Sequence, residues 1–234
     1  MTDSPRREEL AQRLAAVRER ISAACDAAGR AATEVTLIAV TKTWPASDVR
    51  LLSGLGVTDI GENRDAEAAP KAAQCADLDL VWHFIGQLQT NKAASVAQYA
   101  TFVHSVDRLR LIRSLGAAAR RAERVIQGLI EVSLDGDPAR GGAPADQVPG
   151  LAEALAAEPG LVLAGVMAIA PLTMDPAEAF ARLLDSAAVV RAVRPAATVI
   201  SAGMSGDLEA AIAAGATHVR IGTALLGDRG ARVR

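Results

Sequence analysis

Three lysines, Lys42, Lys71 and Lys92, stand among the 25 basic side chains of this 234-residue chain; the other 22 are arginines. Only lysine carries an amine that condenses with an aldehyde to an imine, because a guanidinium keeps its proton at any physiological pH. Covalent carbonyl chemistry therefore has three candidate positions. Lys42, in the run VTKT, leaves a β-branched apolar stretch with the parity of Ile38 and Val40, so it can follow the inner face of a sheet. Partial desolvation there would lower its pKa and free the nucleophile; an exposed strand-end lysine is an equally weighted reading. Lys71 follows Pro70 in a helical stretch and reads as a solvated surface residue. Lys92, after Thr90 and Asn91 at a helix start, either meets an anion or caps its loop.

Anions need backbone N–H groups presented without obstruction, which glycines beside helix starts provide. Two late stretches have that form: SAGMSGD (201–207) and IGTALLG (221–227). Arg220 lies inside the apolar run HVRIG, where a guanidinium needs a partner. A ligand acceptor is one candidate, and a buried carboxylate such as Glu131 or Asp59 is the other. His83, His104 and His218 each fall within an apolar run and read as hydrogen-bonded core residues. No HxH, HExxH or GxSxG spacing points to a metal or a serine nucleophile. Cys25 and Cys75 lack CxxC spacing, which leaves no case for a disulfide scaffold or a zinc site.

The elements that must position these residues alternate. Apolar residues at Leu10, Leu14, Val17 and Ile21 predict a leading amphipathic helix over residues 5–28, stopped at Gly29. Eight short β-rich runs follow, at 35–40, 57–60, 80–85, 101–105, 125–132, 161–169, 197–200 and 217–221, each separated by enough chain for a crossover helix. The pattern predicts one (β/α)8 TIM barrel over residues 1–234, with the loops after the strands as the functional face. An open doubly wound sheet competes, but the first turn has no GxGxxG and polar residues follow nearly every strand. The Gly/Pro-rich loop 135–144 reads as part of the active face. A net charge of −2 without a basic stripe argues against nucleic acid. With no apolar span or leader visible, no membrane association is expected and the cytoplasm is the expected compartment.

Together the stretches AVTKTWP (39–45), IGEN (60–63), WHFIGQLQTNK (82–92), HSVDRLR (104–110), GVMAI (165–169) and the long run 201–227 resemble the pyridoxal phosphate homeostasis family, single-domain relatives of the alanine racemase barrel. They occur in the family's order across nearly the whole chain. The resemblance implies an alanine racemase N-terminal domain-like barrel (PLP fold type III) that holds pyridoxal 5′-phosphate (PLP) as a reversible Schiff base on Lys42. It implies Arg220 against the pyridine nitrogen, Ser201, Ser205, Gly222 and Thr223 on the phosphate, and Asn63 and Met204 close to the cofactor. Departures from the family pattern are Arg64 after GEN, Ala202 and Arg140.

That family implies a carrier or regulator of intracellular PLP and B6 vitamers, without strong catalytic turnover. Apo PLP enzymes are the candidate recipients, and a monomer is expected. Two-base racemisation needs a tyrosine on the opposite face, and the single tyrosine here, Tyr99, precedes the fourth strand. A small amino-acid racemase or other PLP enzyme built on Lys42 is the alternative.

Overall fold

The structure, a computed structural model, describes residues 5–137 and 140–228. Eight parallel strands, β1 (Thr36–Val40), β2 (Asp59–Glu62), β3 (Val81–Phe84), β4 (Phe102–Val106), β5 (Ile126–Glu131), β6 (Leu161–Met167), β7 (Val199–Ser201) and β8 (His218–Ile221), pair in sequence order. The barrel closes where β1 meets β8, with Thr36 opposite His218 and Ala39 opposite Ile221. This is the expected barrel, not the open sheet. β2 and β7 each start two residues later than the apolar runs suggest. Val57 is spent at the end of a helix, its N–H bonded to Leu52, and Ala197 closes a turn onto Arg194. Apolar character there serves the helix ends, not the ladder.

Helices α1 (Pro5–Ala27), α2 (Ala46–Ser53), α3 (Asp65–Gln74), α4 (Ala93–Tyr99), α5 (Leu109–Arg121), α6 (Val148–Ala157), α7 (Pro176–Val193), α8 (Leu208–Ala213) and α9 (Thr223–Leu226) surround the strands. Alternate strand residues face them. Ala39, Ile60, Trp82, Val219 and Ile221 pack with Leu10, Leu14, Val17 and Ile21 of α1, while Phe84, Val103, Ile130, Val166 and Ile200 join the larger core under α4 to α7. A smaller cluster, Leu129, Ala164 and Met167 with Phe102 and Val199, forms apart from these two. Among the described residues, no helix is long and apolar enough to cross a membrane.

The leading helix does more than cover the barrel. Arg6 donates to Asp48 of α2 and to the carbonyl of Leu226 in α9, and its guanidinium lies 4.5 Å from the ring centre of Trp44. Arg20 donates to the carbonyl of Ser205 and to Glu209. One helix thus ties down the loops after β1, β7 and β8. The loop after β7 is further fixed at Gly203, whose φ of +90° suits glycine and whose added Cβ would lie 2.6 Å from Cβ of Ala211. Gly203→Ala should therefore lower unfolding free energy by about 1–3 kcal/mol, read from urea denaturation, since the new methyl group meets both backbone strain and a packed helix.

Candidate functional site

The strands open at their C-terminal ends onto a cavity of about 510 Å3, within the range of small-molecule sites. Its lining includes Lys42, Asn63, Met204, Ser205, Arg220, Gly222 and Thr223, seven of the eight residues expected from the sequence, together with Trp44, Gln87 and Glu131. Lys42 is half-buried just beyond β1. Ile38 and Val40 crowd the space where Gly61 would carry a Cβ, so these alternate residues share the barrel's inner face, and the parity argument for Lys42 holds. Thr43 follows in the left-handed region (φ 69°), with its N–H donating to Glu67. Gly86 permits the loop after β3 to lie directly on the backbone of Asn63, where any Cβ would collide.

Lys71 is not a solvated surface residue. It is 6% exposed, and its ammonium donates to Glu62 Oε1 and to the carbonyl of Thr41 (2.8 Å), the residue before Lys42. The Thr41 hydroxyl donates to the same carboxylate oxygen at 2.6 Å. Burial raises the Glu62 pKa despite Lys71 and Thr41, and its Oε2 has no hydrogen-bond partner. The spacing of Ala68, Ala72 and Cys75 already placed position 71 on the buried face of α3. An alanine face announces its burial weakly, so the lysine between them reads as surface.

Arg220 is 4% exposed, and neither expected carboxylate pairs with it directly. Its Nη1 donates to the carbonyl (2.8 Å) and hydroxyl (2.7 Å) of Ser201, and Nη2 to the carbonyl of Ala168 (2.9 Å). Three of its five N–H groups are thereby committed, leaving two (5 − 3) for an acceptor in the cavity. Burial brings its pKa down to about 10, with Asp207 and Glu131 opposing, so it stays charged at neutral pH.

From Ser201 a hydrogen-bonded chain crosses the barrel interior. Ser201 Oγ lies 3.0 Å from His104 Nδ1, His104 Nε2 lies 2.9 Å from His83 Nδ1, and His83 Nε2 lies 3.0 Å from Asp59 Oδ1. Desolvation lowers the pKa of both histidines, that of His104 well below its usual value, so both are neutral. Arginine is only a donor and carboxylate only an acceptor, which fixes each tautomer in between. Arg220 donates to Ser201, Ser201 to His104, His104 to His83 and His83 to Asp59. Burial raises the Asp59 pKa, but the hydrogen bonds from His83 and Thr58 outweigh it and hold the carboxyl below its usual range. The sequence reading of these histidines as hydrogen-bonded core residues is correct; their link to Arg220 it did not contain.

Ser201 is the site residue that the structure does not bring to the cavity. It is wholly buried, and its hydroxyl is held between Arg220 and His104. Ser205 does line the cavity and accepts from the N–H of Ala224 (3.3 Å), joining the loops after β7 and β8. The amide of Met204 is taken by Asp207 (2.6 Å). Lys92 lies 3.9 Å from Asp65 and does not line the cavity. Arg140, in the expected active-face loop, pairs with Asp135 and donates to the carbonyl of Ile169; Pro138 and Ala139 of that loop lie outside the described residues.

The family model for the alanine racemase N-terminal domain matches residues 12–230. A pyridoxal phosphate homeostasis protein of Mycobacterium tuberculosis is 44% identical over 96% of this chain and 94% of its own length. The chain belongs to this family. Among solved structures, PipY of Synechococcus elongatus with PLP bound is 34% identical, with a TM-score of 0.81 over 93% of this chain and all of that one. An alanine racemase of Corynebacterium glutamicum is 17% identical, with a TM-score of 0.65 over 91% of this chain and 60% of its own; that likeness concerns the fold alone.

Two stability measurements test the buried polar groups. Lys71→Ala leaves Glu62 uncompensated and should cost about 3–5 kcal/mol in urea unfolding, whereas Lys71→Met combined with Glu62→Leu should cost much less. His218, which meets Thr217 Oγ1 at 2.9 Å, has its pKa lowered by burial to about 4. Between that value and the unfolded value near 6.5 the unfolded chain binds more protons, so this contribution is complete above about pH 6.5 and lost as pH falls. The loss should reach on the order of 3 kcal/mol by pH 4. Unfolding at pH 7.5 and 5 should show His218→Leu less sensitive to acid than the wild type.

Proposed function

We propose that this chain binds pyridoxal 5′-phosphate above the barrel and serves PLP homeostasis, holding and passing on the vitamer without strong catalytic turnover. The observation that carries this reading is the meeting of a strand-end amine, a charged buried guanidinium and two Gly/Ser/Thr loops in one cavity. The donor set matches the group. When bound, PLP supplies an aldehyde that amines capture reversibly, a ring nitrogen that accepts a hydrogen bond, and a phosphate. Lys42 would offer the amine, the uncommitted N–H groups of Arg220 would face the ring nitrogen, and Ser205, Gly222 and Thr223 would hold the phosphate. Asn63 and Met204 border the same space.

Weak turnover follows from the same groups. A guanidinium at the ring nitrogen keeps that nitrogen unprotonated, because arginine holds the proton far more strongly than a pyridine base. Tyr99 cannot act as an opposite-face base from its position at the end of α4, where its ring meets Trp82 edge-on at 6.4 Å and burial raises its pKa. Apo PLP enzymes are the recipients that fit a holding role.

Borohydride reduction in the presence of PLP should fix the label on Lys42, and Lys42→Ala should abolish both label and visible absorbance. A label on Lys71 or Lys92 would overturn the assignment, and robust racemisation of a common amino acid by the wild type would overturn the holding role. For the phosphate, Thr223→Val should weaken PLP by about 1.5–3 kcal/mol, the worth of one charge-assisted hydrogen bond, while leaving unphosphorylated pyridoxal nearly unaffected. Equal losses in a binding titration would remove Thr223 from the phosphate site.

A further inference from the structure

We propose that Glu131 seats the ammonium group of an incoming primary alkyl amine, the acceptor that removes PLP from Lys42. The inference rests on the PLP reading of the cavity and names the partner chemistry of that same site. Glu131 is the last residue of β5 and lines both the main cavity and a smaller one of about 220 Å3 beneath the loop after β5. Gly141 and Ile169 border both spaces as well, so the carboxylate stands where the two meet.

This carboxylate is 8% exposed and has no hydrogen-bond or ion-pair partner among the described residues. Gly141 presses on it, since a Cβ there would lie 3.2 Å from Oε1. The charged groups around it come from four directions. Asp107, beyond β4, repels it; Arg220 of β8 and Arg140 of its own loop attract it; Lys42, beyond β1, lines the same cavity. Neither arginine is bonded to it, because Arg220 is committed to Ser201 and Ala168, and Arg140 to Asp135 and Ile169. Burial, with Asp107 adding to it, pushes the Glu131 carboxyl up to about 7.

This carboxylate meets no protein donor, and the space in front of it is the cavity, where a ligand can supply one. An ammonium supplies the missing charge and up to three donors. Among the described residues, no group of three His, Cys, Asp or Glu side chains could hold a metal there instead. An α-carboxylate on the amine would lie beside Glu131 and Asp107, with Arg140 already paired with Asp135 and the uncommitted N–H groups of Arg220 assigned to the ring nitrogen. The site therefore favours an alkyl amine, such as a lysine side chain of a receiving protein, over an amino acid.

The chemistry balances without another reactant. The incoming ammonium would pass two of its three N–H protons, one at a time by way of Glu131, to the nitrogen of Lys42. Its own nitrogen would become doubly bonded to the aldehyde-derived carbon as the double bond from that carbon to Lys42 Nζ breaks, so an ammonium and a protonated imine are exchanged for a protonated imine and an ammonium, with no electrons or protons gained or lost.

Two measurements test the seat. Carboxyl carbon NMR of the PLP-free protein should show Glu131 titrating near neutrality, with its midpoint lowered by n-butylammonium chloride but not by the same concentration of sodium chloride. With protein loaded with PLP, transfer to n-butylamine should exceed transfer to alanine. At equal loading, Glu131→Gln should slow it at least about tenfold, the loss expected from one charge-assisted hydrogen bond, and Glu131→Asp should restore part of the rate. A midpoint that n-butylammonium does not move, unaltered transfer by Glu131→Gln, or a preference for alanine would overturn the proposal. If Lys42 takes up no PLP, the proposed function fails by itself, and the NMR titration alone decides whether Glu131 binds an amine.

Discussion

A guanidinium removed from water must find acceptors for its N–H groups without losing its charge, and the interior of this barrel is organised around that requirement. Arg220 finds two carbonyls and one hydroxyl, and the hydroxyl passes the demand onward through His104 and His83 to Asp59. Each group in the chain has one way to orient, because one end can only donate and the other can only accept. Opposite charges are thus joined across the barrel by neutral dipoles that polarise one another. The guanidinium reaches the cavity with its position fixed and its proton retained, the condition that sets what a ring nitrogen against it could do.

A second buried charge pair supports the other end of the site. Lys71 and Glu62 meet behind β1 with the carbonyl and hydroxyl of Thr41 between them, so the residue before Lys42 is held by its backbone and its side chain. The pair stands between the barrel wall and α3, and hydrophobic residues could fill that space at less cost in desolvation. Its retention is understandable as a matter of geometry: it fixes the backbone from which Lys42 departs, immediately before the left-handed turn at Thr43. Around the same face, α1 reaches the loops after β1, β7 and β8 through Arg6 and Arg20. These contacts make the N-terminal helix a brace for the cavity as well as a cover for the strands.

Glu131 differs from these satisfied groups. The partly buried Asp59 and the buried Glu62 both have donors, and Glu131 has none among the described residues. Among the described residues the other buried charged side chains each have a partner, and Glu131 lines the cavity that Lys42 also lines.

The amino-acid sequence by itself determined the barrel, because eight β-rich runs separated by helix-length segments have few ways to bury both faces of their strands. It also placed Lys42 on the inner face at the exit of β1, because parity along a strand is a local property that survives folding. Seven of eight expected site residues reach the cavity for the same reason, since each belongs to a strand end or the loop just after it. Tertiary structure decided what depends on partners distant in the chain. Ser201 lies 19 residues from the arginine that claims its hydroxyl, and Lys71 lies 30 from the carbonyl it holds. Neither pairing leaves a periodic trace. Whether a polar side chain meets solvent, a ligand or another buried group is fixed only when the barrel closes and brings its neighbouring strands into register.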